Sequence, residues 1–127
     1  MVGSKSEKRC VVDKSNVASA VASGTIDVFS TPMMIALMES AAADCVGAHL
    51  EEGMTSVGTR INVEHLSATP IGMEVRAEAE IVGVDGKRIE MVVSAYDEVG
   101  LIGKGEHTRY IVNAEKFMSK TSAKAAK

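Results

Sequence analysis

At 127 residues the chain is long enough for one domain and one core, and short of two. Apolar residues make up 46% and charged residues 24%, but aromatics only 3% with no Trp, so the core must be built from Ala, Val, Ile, Leu and eight Met. A formal net charge of −3 argues against nucleic acid as a partner, and no apolar run approaches the roughly 18 residues of a membrane span.

Residues 1–8, MVGSKSEK, are expected to form a mobile polar tail, and the lack of an apolar signal segment there points to the cytoplasm. Lys8 to Lys14 alternates weakly and predicts a first strand. The small-residue stretch that follows, NVASAVASGTIDVF, has no decisive period and reads equally as a short helix or a loop. Cys10 and Cys45 lack metal-ligand spacing and read as reduced, small buried residues.

The best-marked element is Ser30 to Gly47, STPMMIALMESAAADCVG, which reads as one helix. Ser30 or Thr31 can cap its free N–H groups, Pro32 suits the first helical position, and Gly47 suits its end. Residues three and four apart share a helix face, and around Glu39 those neighbours are Ile35, Ala36, Ala42 and Ala43. None of them can pair with a charge. Glu39 is therefore an unexplained carboxylate on an apolar, core-facing stripe.

From Val57 the period becomes two, the signature of strands. In VGTRINVEHL, Val57, Thr59, Ile61, Val63 and His65 share one face, and Arg60, Asn62 and Glu64 the other. After a turn at SATPIG, MEVRAEAEIV turns Met73, Val75, Ala77, Ala79 and Ile81 inward. Asp85-Gly86 signals a hairpin into a strand with Ile89, Met91, Val93 and Ala95 inward. A second turn near Glu98–Gly100 leads to a last strand, LIGKGEHTRYIV, and residues 119–127 are expected to fray as a basic tail. The whole is predicted as a single α+β domain over residues 1–127: an antiparallel sheet around one long central helix, its outer edges covered by a second subunit.

If helix and sheet pack through their apolar faces, Glu39 and His65 point into the same layer. Burial would raise the carboxylate pKa and a neighbouring imidazolium would lower it, and either arrangement suits acid–base work. The plainer reading weighs about equally: a Glu at the edge of its stripe reaching water, and a His at a strand end on the surface. Thr31 reads first as a helix cap. It lies eight residues from Glu39, about 12 Å along a helix, too far for a direct bond, although a helix N-terminus can polarise a carbonyl oxygen. His49 reads as solvated, and His107 and Arg109, on a face with Leu101 and Ile111, read as polar interruptions of an edge strand. GLIGKG lacks the ending and setting of a phosphate loop, and no Gly-x-Ser-x-Gly elbow is present. The three histidines are scattered, so no metal is expected.

Three segments, STPMMIALMESAAA, SVGTRINVEHLSATPIGMEV and GLIGKGEHTRYIVNAEKF, closely resemble the hotdog-fold thioesterases related to fluoroacetyl-CoA thioesterase, over roughly Phe29 to Lys120. The resemblance implies the hotdog fold, a homodimer or higher oligomer with sites at the interface, and hydrolysis of an acyl-CoA to free acid and CoA, with CoA part of the substrate and no separate cofactor. It implies catalytic roles for Thr31, Glu39 and His65, and places Gly58 and Arg109 where the family lines or supports its site. Family members acting on fluoroacetyl-CoA carry a phenylalanine-bearing lid before the helix. Here VASAVASGTIDVF has Phe29 as its sole aromatic, so a general short-chain acyl-CoA thioesterase is expected. The rival readings are a non-catalytic acyl-CoA-binding or regulatory protein of the same fold, and an enoyl-CoA hydratase, whose Asp and His in one short segment are not found here.

Overall fold

The computed structural model describes residues 1–125. It orders the chain as β1 (Lys5–Val11), α1 (Thr31–Gly47), β2 (Met54–His65), β3 (Glu74–Asp85), β4 (Arg88–Tyr96), β5 (Leu101–Asn113) and α2 (Ala114–Ser122), then a short 3-10 turn at Ala123–Ala125. The helix start is settled by Ser30, whose side chain accepts a hydrogen bond from the Met33 N–H at 3.2 Å. Since Ser30 takes the cap, the Thr31 hydroxyl is free for other work.

The five strands form one antiparallel sheet in the order β1-β3-β4-β5-β2. α1 lies across it, chiefly over β3 and β1, and buries Met34, Met38, Ala41, Ala42, Cys45 and Val46. Opposite them lie Val75, Ala77, Ala79 and Ile81 of β3 and Ile89, Met91, Val93 and Ala95 of β4, all buried as the alternation predicts. Alanines on both surfaces let helix and sheet approach closely. Each Ile or Met buried fully between them contributes about 1.5–3 kcal/mol. Gly103 of β5 serves the same approach, because a Cβ there would lie 2.6 Å from the Met34 sulfur.

Several expectations are corrected. Residues 5–8 are paired with β3 in β1, which ends at Val11, and are no tail. Residues 119–125 are helical, continuing α2, which Asn113 caps by accepting from the Lys116 N–H; the rest of the expected tail, residues 126–127, lies outside the described residues. The stretch after β1 contains no helix and is held by isolated bridges of Val17 to Phe29 and of Val28 to Pro70. SATPIG is no hairpin turn either. β2 pairs with β5 at one edge, so residues 66–73 cross to β3 near the other. Cys45 is buried, but Cys10 is only half-buried.

The faces of β2 and β5 also differ from simple alternation. Gly58 pairs with Arg109 and Arg60 with Thr108, which leaves Thr59 as an extra, bulged residue. Ser56 and Gly58 therefore share the inward face with Ile61, Val63 and His65, and Val57 and Thr59 do not belong to it. In β5 an extra residue at Ile102 buries that side chain and turns Leu101 out, 39% exposed. β5 is central, between β4 and β2, so His107 and Arg109 point into the layer beneath the helix.

Candidate active site

Two polar centres flank α1. The first is at its start. Thr31, the first helical residue, brings its Oγ1 to 2.7 Å from Nδ1 of His65, the last residue of β2. The other ring nitrogen of His65, Nε2, is shielded from solvent and has no hydrogen-bond partner among the described residues. Burial pushes the imidazolium pKa of His65 below its usual value, with the Ser67 main chain working against it. Both residues border a cleft of about 280 Å³, lined also by Ala18, Ser23, Val28 and Phe29 from the small-residue stretch.

The second centre lies two turns along the helix. Glu39 is 43% exposed at its side chain, so it stands at the margin of the apolar stripe and not within it. Its Oε2 is 4.0 Å from Nη1 of Arg109, a side chain only 8% exposed. Gly58, directly across from Arg109 in the sheet, forms the floor: a Cβ there would lie 2.7 Å from the Glu39 Oε2 and 3.0 Å from the His107 ring. Arg109 donates from Nε to the Ser56 hydroxyl at 2.8 Å, from Nη2 to the Ser56 carbonyl at 2.9 Å, and from Nη1 to His107 Nε2 at 3.1 Å.

His107, 1% exposed, bonds from Nδ1 to the Arg60 carbonyl at 2.8 Å. A carbonyl only accepts, so Nδ1 carries the proton and Nε2 is free to accept from Arg109. Burial lowers the His107 pKa, as does the Arg109 charge, against the Arg60 carbonyl and Glu39. The ring is neutral near pH 7.

The expected pairing of Glu39 with His65 is not made within the chain. His65 bonds Thr31, and the charged neighbour of Glu39 is Arg109. Distance explains this: Glu39 sits about 12 Å along the helix from Thr31, and Gly58 is roughly 20 Å along β2 from His65. Sequence reasoning set His107 aside and did not reach Ser56. The signal for His107 was there, on the face it shares with Arg109, but reading β5 as an edge strand sent that face to solvent.

An antiparallel sheet curled around one helix, with titratable groups at the helix start and middle, defines the hotdog thioesterase class. The chain belongs to the fluoroacetyl-CoA-specific thioesterase family, whose model matches residues 12–115. It is 43% identical over 98 residues to a fluoroacetyl-CoA thioesterase from Streptantibioticus cattleyicolor, covering 77% of this chain and 70% of that one. Among solved structures, a mutant fluoroacetyl-CoA thioesterase in complex with acetyl-CoA superposes with a TM-score of 0.89 at 35% identity, over 98% of each chain. A Thermus thermophilus member of the thioesterase superfamily does so at 0.91 and 27% identity, over 99% of this chain and 93% of that one. No helix among the described residues is long and apolar enough to cross a membrane.

Proposed function

We propose that the chain works as a homodimer that hydrolyses short-chain acyl-CoA thioesters to the free acid and CoA, with Glu39, His65 and Thr31 as the reacting groups. The observation that carries this reading is that two polar groups are left unanswered by one chain: the shielded Nε2 of His65 and the part-exposed carboxylate of Glu39. β2 is a sheet edge of 12 residues, and a bare edge of that length calls for a partner strand. Antiparallel pairing of two β2 strands about a twofold axis between Ile61 and Asn62 would set His65 of one opposite Gly58 of the other. The Thr31–His65 pair of one protomer would then meet Glu39 of its partner.

In this arrangement Glu39 takes the proton of a water as its oxygen attacks the thioester carbonyl, or attacks directly to form an anhydride that water then opens. Thr31, through its hydroxyl and its main-chain N–H, and His65 stabilise the oxyanion; Pro32 has no N–H, and those of Met33 and Met34 are taken by Ser30. Collapse breaks the C–S bond: on the water route CoA leaves as the thiol with the proton Glu39 had taken, and on the anhydride route it leaves as the thiolate and takes its proton from the water that opens the anhydride. Trapping an acylated Glu39 separates the two routes. Gly58 lines the site and Arg109 supports Glu39. The chemistry calls for no metal and no cofactor beyond the CoA of the substrate. The free thiols suit a reducing compartment, and we place the protein in the cytoplasm. The cleft beside Thr31, lined by Ala18, Ser23 and Val28 with Phe29 its one aromatic, suits acyl groups other than fluoroacetyl alone.

The test is thiol release across an acyl-CoA panel that includes fluoroacetyl-CoA. Glu39→Gln and His65→Ala should each lower kcat/KM by on the order of 10²–10⁴ while remaining folded. Mixed and reassorted at equal amounts, the two variants should recover about a quarter of wild-type activity, because half the dimers are mixed and each holds one intact site of two. No recovery despite subunit exchange would sink the shared site. Binding of acyl-CoA without turnover of any member would replace the enzyme with a binding module.

A further inference from the structure

Arg109 is almost wholly buried, yet the hydrogen bonds that hold it all come from neutral groups. Ser56 takes Nε and Nη2, and neutral His107 takes one hydrogen of Nη1. Neutral partners return only part of the hydration that a buried cation loses, so such a cation costs stability unless a counter-charge stands near. Among the described residues the sole carboxylate paired with it is Glu39, at 4.0 Å and part-exposed, too far for a direct hydrogen bond but close enough for its charge to feel the arginine. The guanidinium has no rotational freedom left: Ser56 holds one edge, and His107, itself held by the Arg60 carbonyl, holds the other.

We infer that Ser56 and His107 are positioning residues, a clamp that locks Arg109 so that the second hydrogen of Nη1 faces the Glu39 carboxylate. This rests on the proposal that Glu39 is the reacting carboxylate. The Nε2 of His107 must stay an acceptor for the clamp to close. A proton there would set a second cation 3.1 Å from the first.

Two substitutions split the ring's functions. In His107→Gln the side-chain oxygen reaches the place of Nε2 and keeps an acceptor for Arg109. In His107→Asn the amide nitrogen replaces Nδ1 and keeps the donor to Arg60, but the acceptor is lost. Each is compared with wild type and Glu39→Gln for kcat, KM and thermal melting. The clamp predicts that His107→Asn lowers kcat by about 10-fold or more with KM within about 2-fold, because a misaimed group costs the chemical step and not ground-state binding. His107→Gln should stay within about 3-fold of wild type. Equal loss in both, or unchanged kcat in folded His107→Asn, overturns it. Should His107→Asn not fold, Ser56→Ala tests the other edge: the same fall in kcat supports the clamp, and wild-type kcat overturns it. If Glu39→Gln itself keeps full kcat, it is the assignment of Glu39 that fails.

Discussion

Gly58 shows how narrow the tolerances around Glu39 are. Its backbone conformation is open to any residue, so the need for glycine comes from what stands above it. A methyl group would lie 2.7 Å from the Glu39 oxygen and 3.4 Å from the Arg109 Nη1. Gly58→Ala should therefore push the carboxylate aside by several tenths of an ångström to 1 Å and lower kcat/KM by on the order of 10²-fold. It sits on a solvent-accessible strand, so stability should change by less than about 1 kcal/mol. Steady-state kinetics beside a urea titration check both halves, and full activity would mean that the carboxylate is free to move without consequence. Thr31 carries a parallel lesson. With Ser30 as the cap, its hydroxyl goes to His65, so two adjacent hydroxyl residues divide the structural and chemical duties.

Among the elements, β1 separates the reading of the sequence from the fold most clearly. Its polar, weakly alternating start resembled a tail, but Lys5 to Val11 pair with Glu80 to Glu74, and Gly3 donates to the Ile81 carbonyl. Deleting residues 1–8 should expose the edge of β3 and part of the underside of α1, lowering the urea midpoint clearly. Deleting residues 119–127, which bury nothing among the described residues, should leave it nearly unchanged. Equal effects of the two truncations would mean that β1 contributes no packing. The elements that could be read in advance were those with an unbroken rule: α1, with its cap, proline and apolar stripe, and β3 and β4, whose alternation matches burial residue for residue. Thr59 defeated the same rule. Threonine is a good strand former, and V-T-I-V-H alternates perfectly on paper, so nothing in the side chains announces the bulge. The sequence named Thr31, Glu39 and His65 as candidates but not which of them meet: Thr31 bonds His65 and Glu39 lies beside Arg109, because pairing depends on how far helix and strand run before they meet.

The molecule as a whole carries two buried or half-buried histidines that are held neutral, His65 and His107. Burial depresses both pKa values in the folded state, so the unfolded chain binds more protons below the usual value of 6.5. The stability they contribute is complete above that pH and is lost as pH falls through their folded values. The carboxylates Asp13 and Asp97, with pKa values already below 3.8, do not mask the effect, because their own contribution is lost only in stronger acid. Urea midpoints should thus fall between pH 7.5 and pH 5.5, and His107→Gln should fall less than wild type. A midpoint equal at both pH values would mean that neither ring is held neutral by folding.

The bulge at Thr59 gives β2 something like two reading frames. Residues 60–65 present their odd-numbered side chains to the helix, and residues 54–58 their even-numbered ones, so a single extra residue decides which half of the strand's vocabulary is spoken inward. Flattening the bulge with Thr59 kept in the ladder would leave Ile61, Val63 and His65 in phase while turning Thr55 and Val57 in and Ser56 and Gly58 out. The Thr31 centre would be read as before. The Glu39 centre would meet bulk where it now meets a bare backbone, and Arg109 would lose its serine. Deleting Thr59 itself would instead join Gly58 to Arg60 opposite the consecutive Arg109 and Thr108 and keep both centres inward, so the sensitive change in β2 is one that draws the extra residue into the ladder.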